Sequence, residues 1–212
     1  CPKPIGKRLS PMTIKSEALA LENAVELAWT QMITTSKAPL ILAGVEIVRM
    51  GLSGLLQELI DASGFLYTTT TLGKTVLDEK GKKFIGTYSD AASIPHVIDK
   101  VKQSDCIIAL GTIFTDDYSW LMENKYSEMV VATSGEIRVG YFKYDGVSMK
   151  DFIQALLKRF KSQANYPKKA VAPAQPKYPE PWKSNSDKQW NKNPEVITYN
   201  RFFQHSMKFL ED

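Results

Sequence analysis

The sequence predicts an α/β domain, a three-layer Rossmann-like arrangement of about six mainly parallel strands with helices on both faces. Three observations carry that expectation. Residues 39–44 and 106–110 are short, continuous apolar runs, the form taken by strands covered on both faces. Between such runs lie segments whose apolar residues recur at helical spacing. Strand, helix and strand in that order make a βαβ unit, which brings parallel strands and a right-handed crossover.

Taken in order, residues 1–15 hold three prolines and little periodicity and are expected to be an extended linker. Residues 16–36 carry Ala24/Val25, Ala28/Trp29 and Met32/Ile33 as one stripe, with Glu22, Glu26 and Gln31 off it, so a packing helix is expected. Trp29 on that stripe is assigned to the core rather than to a ligand platform. The strand at 39–44 leads to a helical pattern through Leu52, Leu55, Leu56, Leu59 and Ile60, ending at Gly64. Residues 65–70, rich in β-branched and aromatic side chains, form the next strand. Gly73-Lys74 breaks it, and a loop-rich crossover passes Asp78-Glu79 before a second apolar piece reaches Gly86-Thr87-Tyr88-Ser89.

Residues 91–103 are expected as a helix with Ile94, Val97, Ile98 and Val101 inward and Pro95 in the first turn, where a missing amide costs nothing. Strands follow at 106–110 and 129–132, and the alternation over 137–142 suits an edge strand. The stripe Phe152, Ile153, Leu156, Leu157 and Phe160 closes the domain, placed at 16–161, with a helix. Residues 162–194 hold six of the eleven prolines without apolar periodicity, and form a Pro/Lys-rich linker. Residues 195–212 return to a helical pattern with Phe202, Phe203, Met207 and Leu210 on one side.

At 212 residues with 43% hydrophobic content the chain can bury a sizeable core. The formal charge of +4 is concentrated in residues 161–193, where seven Lys face Glu180 and Asp187, leaving a nearly neutral body and no argument for a nucleic-acid partner. Cys1 and Cys106 do not suggest a disulfide framework, no apolar run reaches membrane-helix length, and a cytoplasmic location without a membrane partner is expected. Because the first residue is Cys, the chain is expected to be a piece of something longer.

The words of the crossover carry more than its composition. Thr70-x-x-Gly73-Lys74 with Asp78-Glu79, then Gly86-Thr87-Tyr88-Ser89 with Ser93, and later residues 104–116 with Gly111 and Asp116, resemble the central domain of the thiamine-diphosphate-dependent 2-oxo acid decarboxylases of the pyruvate and indolepyruvate type. Residues 39–44 are similar to the first strand of that domain. The resemblance implies a noncatalytic central domain, with thiamine diphosphate and Mg²⁺ held by flanking domains of the same polypeptide and none of either in this segment. It implies a homodimeric or homotetrameric parent, and makes 195–212 the first helix of a following domain. In related enzymes the domain binds FAD or ADP, or forms part of a substrate-activation site. Where fungal members carry an activating Cys this chain has Glu46, with Arg49 retained and Met50 in place of a His. A nucleotide- or effector-binding module and a structural or oligomerisation domain are the alternatives.

The residues themselves offer little chemistry. No G-x-G-x-x-G follows the first strand, and Gly73-Lys74-Thr75 lacks the earlier glycine of a phosphate loop. His96 and His205 have no partner constellation, Asp78-Glu79 and Asp116-Asp117 suit turns and caps, and no metal or catalytic residue is assigned. Any ligand should lie beyond the carboxyl ends of the strands. There the candidate groove is formed by Gly44, Glu46, Arg49, Thr71, Gly73, Lys74, Gly111, Thr112 and Ser134.

Overall fold

The computed structural model describes residues 15–163 together with Phe202 and Ser206. The expected linkers and terminal helix fall almost wholly outside these residues. The chain divides into two units, 1–174 and 175–212. In the second, Phe202 and Ser206 are helical, and the Ser206 hydroxyl donates to the Phe202 carbonyl at 2.9 Å. The first unit carries the fold.

Its centre is a seven-stranded sheet in the order β3-β2-β1-β4-β5-β6-β7. The strands are β1 (Pro39–Ala43), β2 (Leu66–Thr70), β3 (Phe84–Tyr88), β4 (Cys106–Leu110), β5 (Met129–Ala132), β6 (Glu136–Val139) and β7 (Phe142–Asp145). The first five pair parallel and the last two antiparallel. The expected strand at 137–142 is therefore two strands. Gly140, at φ 56°, turns the chain back after Val139, so β6 lies inside the sheet and β7 takes the edge.

Helices α1 (Ala18–Leu27), α3 (Ser53–Ser63) and α6 (Met149–Ser162) bury their apolar stripes with one face of the sheet. Residues of α4 (Pro95–Gln103) and α5 (Ser119–Asn124) pack with the other. The pleat sorts each strand between the two: Ile41, Ile108, Leu110 and Val130 belong to the first core, and Leu40, Leu42, Ile107 and Val131 to the second. That double burial explains the uninterrupted apolar runs. Trp29 is 3% exposed and lies edge-on to Phe160 at 4.8 Å, so it is a core residue.

Local sequence fixes the helix ends. Glu17 accepts from the amides of Leu19 and Ala20, Ser148 accepts from Asp151 at 3.1 Å, and Gly64 ends α3 in the left-handed region. Two helices differ from expectation. The first is α-helical only to Leu27 and continues as a π-helical turn, Ala28–Ile33, in which the Thr34 amide reaches back to the Trp29 carbonyl at 3.0 Å. The fourth begins at Pro95, not at residue 91; Asp90–Ala92 is a separate 3₁₀ turn, because the residue before a proline avoids the helical region and Ile94 is extended. The short helices Glu46–Arg49 (α2) and α5 have no counterpart in the sequence reading.

Polar bonds pin the entry to β1. Asp105 accepts the Ser36 hydroxyl and the amides of Lys37 and Ala38, the last two at 2.8 and 2.9 Å. Burial raises the Asp105 pKa, but these donors outweigh it and hold the carboxyl below its ordinary value. A depressed carboxylate stabilises the fold above its unfolded pKa, and that contribution is lost as pH falls through the folded value. Thermal melts should therefore show Asp105→Asn costing about 1–3 kcal/mol at pH 7. The gap between variant and wild type should close on acidification below about pH 4. A gap constant from pH 7 to pH 3 would show that these bonds do not depend on the charge.

Candidate functional site

The strand order reverses between β1 and β4, and the carboxyl ends of β2, β1 and β4 lie side by side there. This is the edge where an open parallel sheet takes its ligands. The loops leaving these strands carry most of the candidate groove residues.

The structure brings Gly44, Gly73, Gly111 and Thr112 together as closely packed main chain. A Cβ built on Gly44 would lie 2.1 Å from the Gly111 carbonyl oxygen and 2.4 Å from Thr112 Cα. On Gly73 it would lie 2.6 Å from the Ala43 carbonyl oxygen, and on Gly111, at φ 64°, 2.9 Å from the Ile47 amide nitrogen. These glycines serve the approach of one loop to another. Their amides are spent in the same contacts: Gly44 donates to Leu110, Gly111 to Ala132, and Gly73 to the Thr70 carbonyl and hydroxyl. The Glu46 amide donates to the Gly111 carbonyl at 3.1 Å, and the Thr112 hydroxyl donates to the Leu42 carbonyl at 3.4 Å.

The other candidates stand differently. The Thr71 amide donates to the Tyr118 phenol at 3.3 Å, and Lys74 pairs with Glu79 at 3.5 Å on the surface. Arg49 is exposed, and so is Ser134, which lies in the turn that Thr133 closes by donating to the Glu136 carbonyl. Glu46 Oε2 is buried without a hydrogen-bond partner. Around the glycines, beside the exposed Arg49, Thr71 and Lys74, four large apolar residues also turn outward: Val48 is 51% exposed, Met50 40%, Leu72 59% and Ile113 38%. They follow β1, β2 and β4, so they share one edge of the sheet.

The crossover from β2 to β3 is a loop, as its sequence suggested. Tyr67 anchors it by donating to the Asp78 carbonyl at 2.5 Å, and its pKa is raised to about 12 by burial, with Asp78 adding to the effect. Val76 and Leu77 are buried beneath it. Glu79 accepts the Thr75 amide at 2.9 Å, and Thr75 sits at φ 66°, a left-handed conformation that is costly for a β-branched residue. The Asp116-Asp117 pair opens a 3₁₀ turn, Asp116–Tyr118, and both are exposed. Tyr118 and Asp90 were not foreseen. Asp90 accepts the phenol of nearby Tyr88 at 2.6 Å and the Trp120 amide at 2.8 Å, and no local sequence pattern marks the second contact, whose partner lies 30 residues along the chain.

A diphosphate bound through a divalent ion needs converging carboxylates or free amides. Among the described residues no three of His, Cys, Asp and Glu gather into a metal-binding group, and the glycine amides at the strand ends are engaged. Cys106 is buried in β4, with its thiol pushed up to about 12 by burial, which leaves no thiolate for nucleophilic chemistry. The described residues do not fit thiamine diphosphate.

Comparison with known proteins gives this geometry a context. Residues 28–139 match the family described as the thiamine pyrophosphate enzyme central domain. The chain is 30% identical over 176 residues to a pyruvate decarboxylase of Kluyveromyces marxianus, covering 82% of this chain and 30% of that protein. It is 28% identical over 179 residues to the pyruvate decarboxylase of Kluyveromyces lactis, covering 84% and 31%. Over 204 residues it is 28% identical to pyruvate decarboxylase 2 of rice, Oryza sativa, covering 92% and 31%. The chain thus spans less than a third of the length of these relatives.

Two substitutions should move stability in opposite directions. Gly44→Ala forces a methyl onto the Gly111 carbonyl, where no flexible side chain can yield, and should cost about 3 kcal/mol or more in denaturant melts. Thr75→Gly relieves a left-handed β-branched residue and should gain about 1 kcal/mol. A tolerated Gly44→Ala would mean that the loops do not approach as described.

Proposed function

The chain belongs to the family of thiamine pyrophosphate enzyme central domains, and from that premise we infer that it is the noncatalytic central domain of a 2-oxo acid decarboxylase of the pyruvate or indolepyruvate type. In this reading the cofactor, Mg²⁺ and the groups that activate the cofactor come from flanking domains of a longer, cytoplasmic polypeptide that assembles as a homodimer or homotetramer. The observation that carries it is the state of the strand-end edge. Main chain packs closely at the crevice in which related folds hold phosphates, and the exposed side chains around it include four large apolar ones among the polar Arg49, Thr71 and Lys74.

An apolar rim at the functional edge of a sheet suits contact with protein rather than with a charged ligand. We assign Val48, Met50, Leu72 and Ile113 to the seam with a flanking domain. The relatives, more than three times as long as the matched segment, supply further polypeptide for such a seam.

One observation favours a second reading, that of an effector module. Glu46 Oε2 is buried and unpartnered at the end of β1, and a bound hydroxyl or ammonium group would satisfy it. Candidate groove residues Arg49, Thr71, Lys74 and Ser134 belong to that reading.

The isolated chain, supplied with thiamine diphosphate, Mg²⁺ and pyruvate or indolepyruvate, should release no CO₂ above background. Turnover would overturn the noncatalytic assignment. In the intact enzyme, Leu72→Glu should weaken packing against the neighbouring domain and lower the melting temperature. In the isolated chain the same change should be within about 0.5 kcal/mol of neutral. Equal effects in both would place Leu72 outside any domain seam.

A further inference from the structure

We propose that β7 is a self-association edge, and that two copies of this chain join their sheets antiparallel about a twofold axis at Tyr144. Among the described residues β7 ends the sheet. The Gly146 amide donates to the Gly135 carbonyl at 2.9 Å and continues the β6–β7 register, in which Glu136 faces Asp145 and Ile137 faces Tyr144. Hydrogen-bonded and non-bonded pairs alternate along an antiparallel ladder. The backbone groups of Phe142 and Tyr144 therefore point at β6, and those of Lys143 and Asp145 point outward.

The side chains select both the occupant and the register. Lys143 and Asp145 lie on one face two residues apart, 3.1 Å from each other through an ion pair. An antiparallel copy with Tyr144 on the axis sets Lys143 opposite the partner's Asp145, and the reverse pair follows by symmetry. Their outward N–H and C=O groups then meet as bonded pairs. Shifting the axis to Lys143 or to Asp145 sets like charges opposite each other, which is destabilising. A lysine on a short edge strand ordinarily discourages pairing; here its separation from Asp145 makes one register attractive and the neighbouring ones repulsive. On the other face Phe142, 64% exposed, comes to lie opposite the partner's Gly146, an exposed residue without a side chain whose carbonyl accepts the Glu17 amide at 3.0 Å. The strand is complementary to itself in charge, in shape and in backbone bonding, which points to a second copy rather than to an unrelated strand.

Sedimentation equilibrium of the full 212-residue chain over a concentration series tests this. The wild type should dimerise reversibly. Lys143→Asp and Asp145→Lys each set like charges across the axis and should each weaken the dimer about tenfold or more. Mixing the two variants restores opposite charges, so heterodimers should form with near wild-type affinity. Circular dichroism melts confirm that both variants fold. Amide exchange gives a second readout, in which the Lys143 and Asp145 amides gain protection as concentration rises. A chain that stays monomeric, or a dimer indifferent to both variants, or unchanged exchange at these two amides, would overturn the proposal.

Discussion

The approach of the main chain after β1 to the main chain after β4 sets the rest of the carboxyl edge. Gly44 lies where a single methyl would sit 2.1 Å from the Gly111 carbonyl oxygen, and no side chain other than hydrogen permits that contact. From that closeness follow the bond between the Thr112 hydroxyl and the Leu42 carbonyl, the bond between the Glu46 amide and the Gly111 carbonyl, and the seating of Gly73 against Ala43. With backbone filling the middle, the loops divide their side chains: Ile47, Val76 and Leu77 enter the core, and Val48, Met50, Leu72 and Ile113 turn outward. Fold and surface chemistry are thus one constraint: a crevice closed by main chain leaves a rim of Val48, Met50, Leu72 and Ile113.

How far the sequence was legible depended on how far each signal reached. The runs that became β1, β4 and β5 are buried on both faces, and a strand in that position must be apolar throughout, so runs this short were enough to recognise it. Helix α6 was legible because its whole stripe from Phe152 to Phe160 packs into one core. The β6–β7 hairpin was not separable from a single strand, since alternation continues across Gly140 and only its positive φ marks the turn. The π turn at Ala28–Ile33 keeps Trp29, Met32 and Ile33 inward, as an α-helix also would, so the periodicity could not distinguish them.

At the candidate site the glycines were legible as positions but not in purpose. Gly44, Gly73 and Gly111 stand where a nucleotide fold places glycine, and sequence alone cannot tell a backbone that approaches a phosphate from one that approaches another loop. Polar anchors were out of reach for a different reason. Asp105 holds a segment nearly 70 residues earlier, and Ser16 donates to Asp151 across 135 positions at 2.5 Å. Neither pairing leaves a local pattern.

Where the helical cover of the second face ends, side chains take its place. Arg138 on β6 is 9% exposed and lies with its guanidinium 3.7 Å from the centre of the Tyr126 ring, which in turn packs on Tyr141 at 5.5 Å. One guanidinium nitrogen, Nη1, donates to the carbonyls of Tyr126 and Gly140, whereas Nη2 is buried without a partner. Burial pulls the Arg138 pKa down from its ordinary value, and the aromatic face and two carbonyls offset part of that cost. A helix at this place would have buried the end of the sheet and hidden the last strand. A cover made of one arginine and two tyrosines is thinner, and it reaches only as far as β6. On this face the neighbouring strand keeps Lys143 and Asp145 at the surface, so the same economy that closes the second core leaves the sheet an edge on which it can grow.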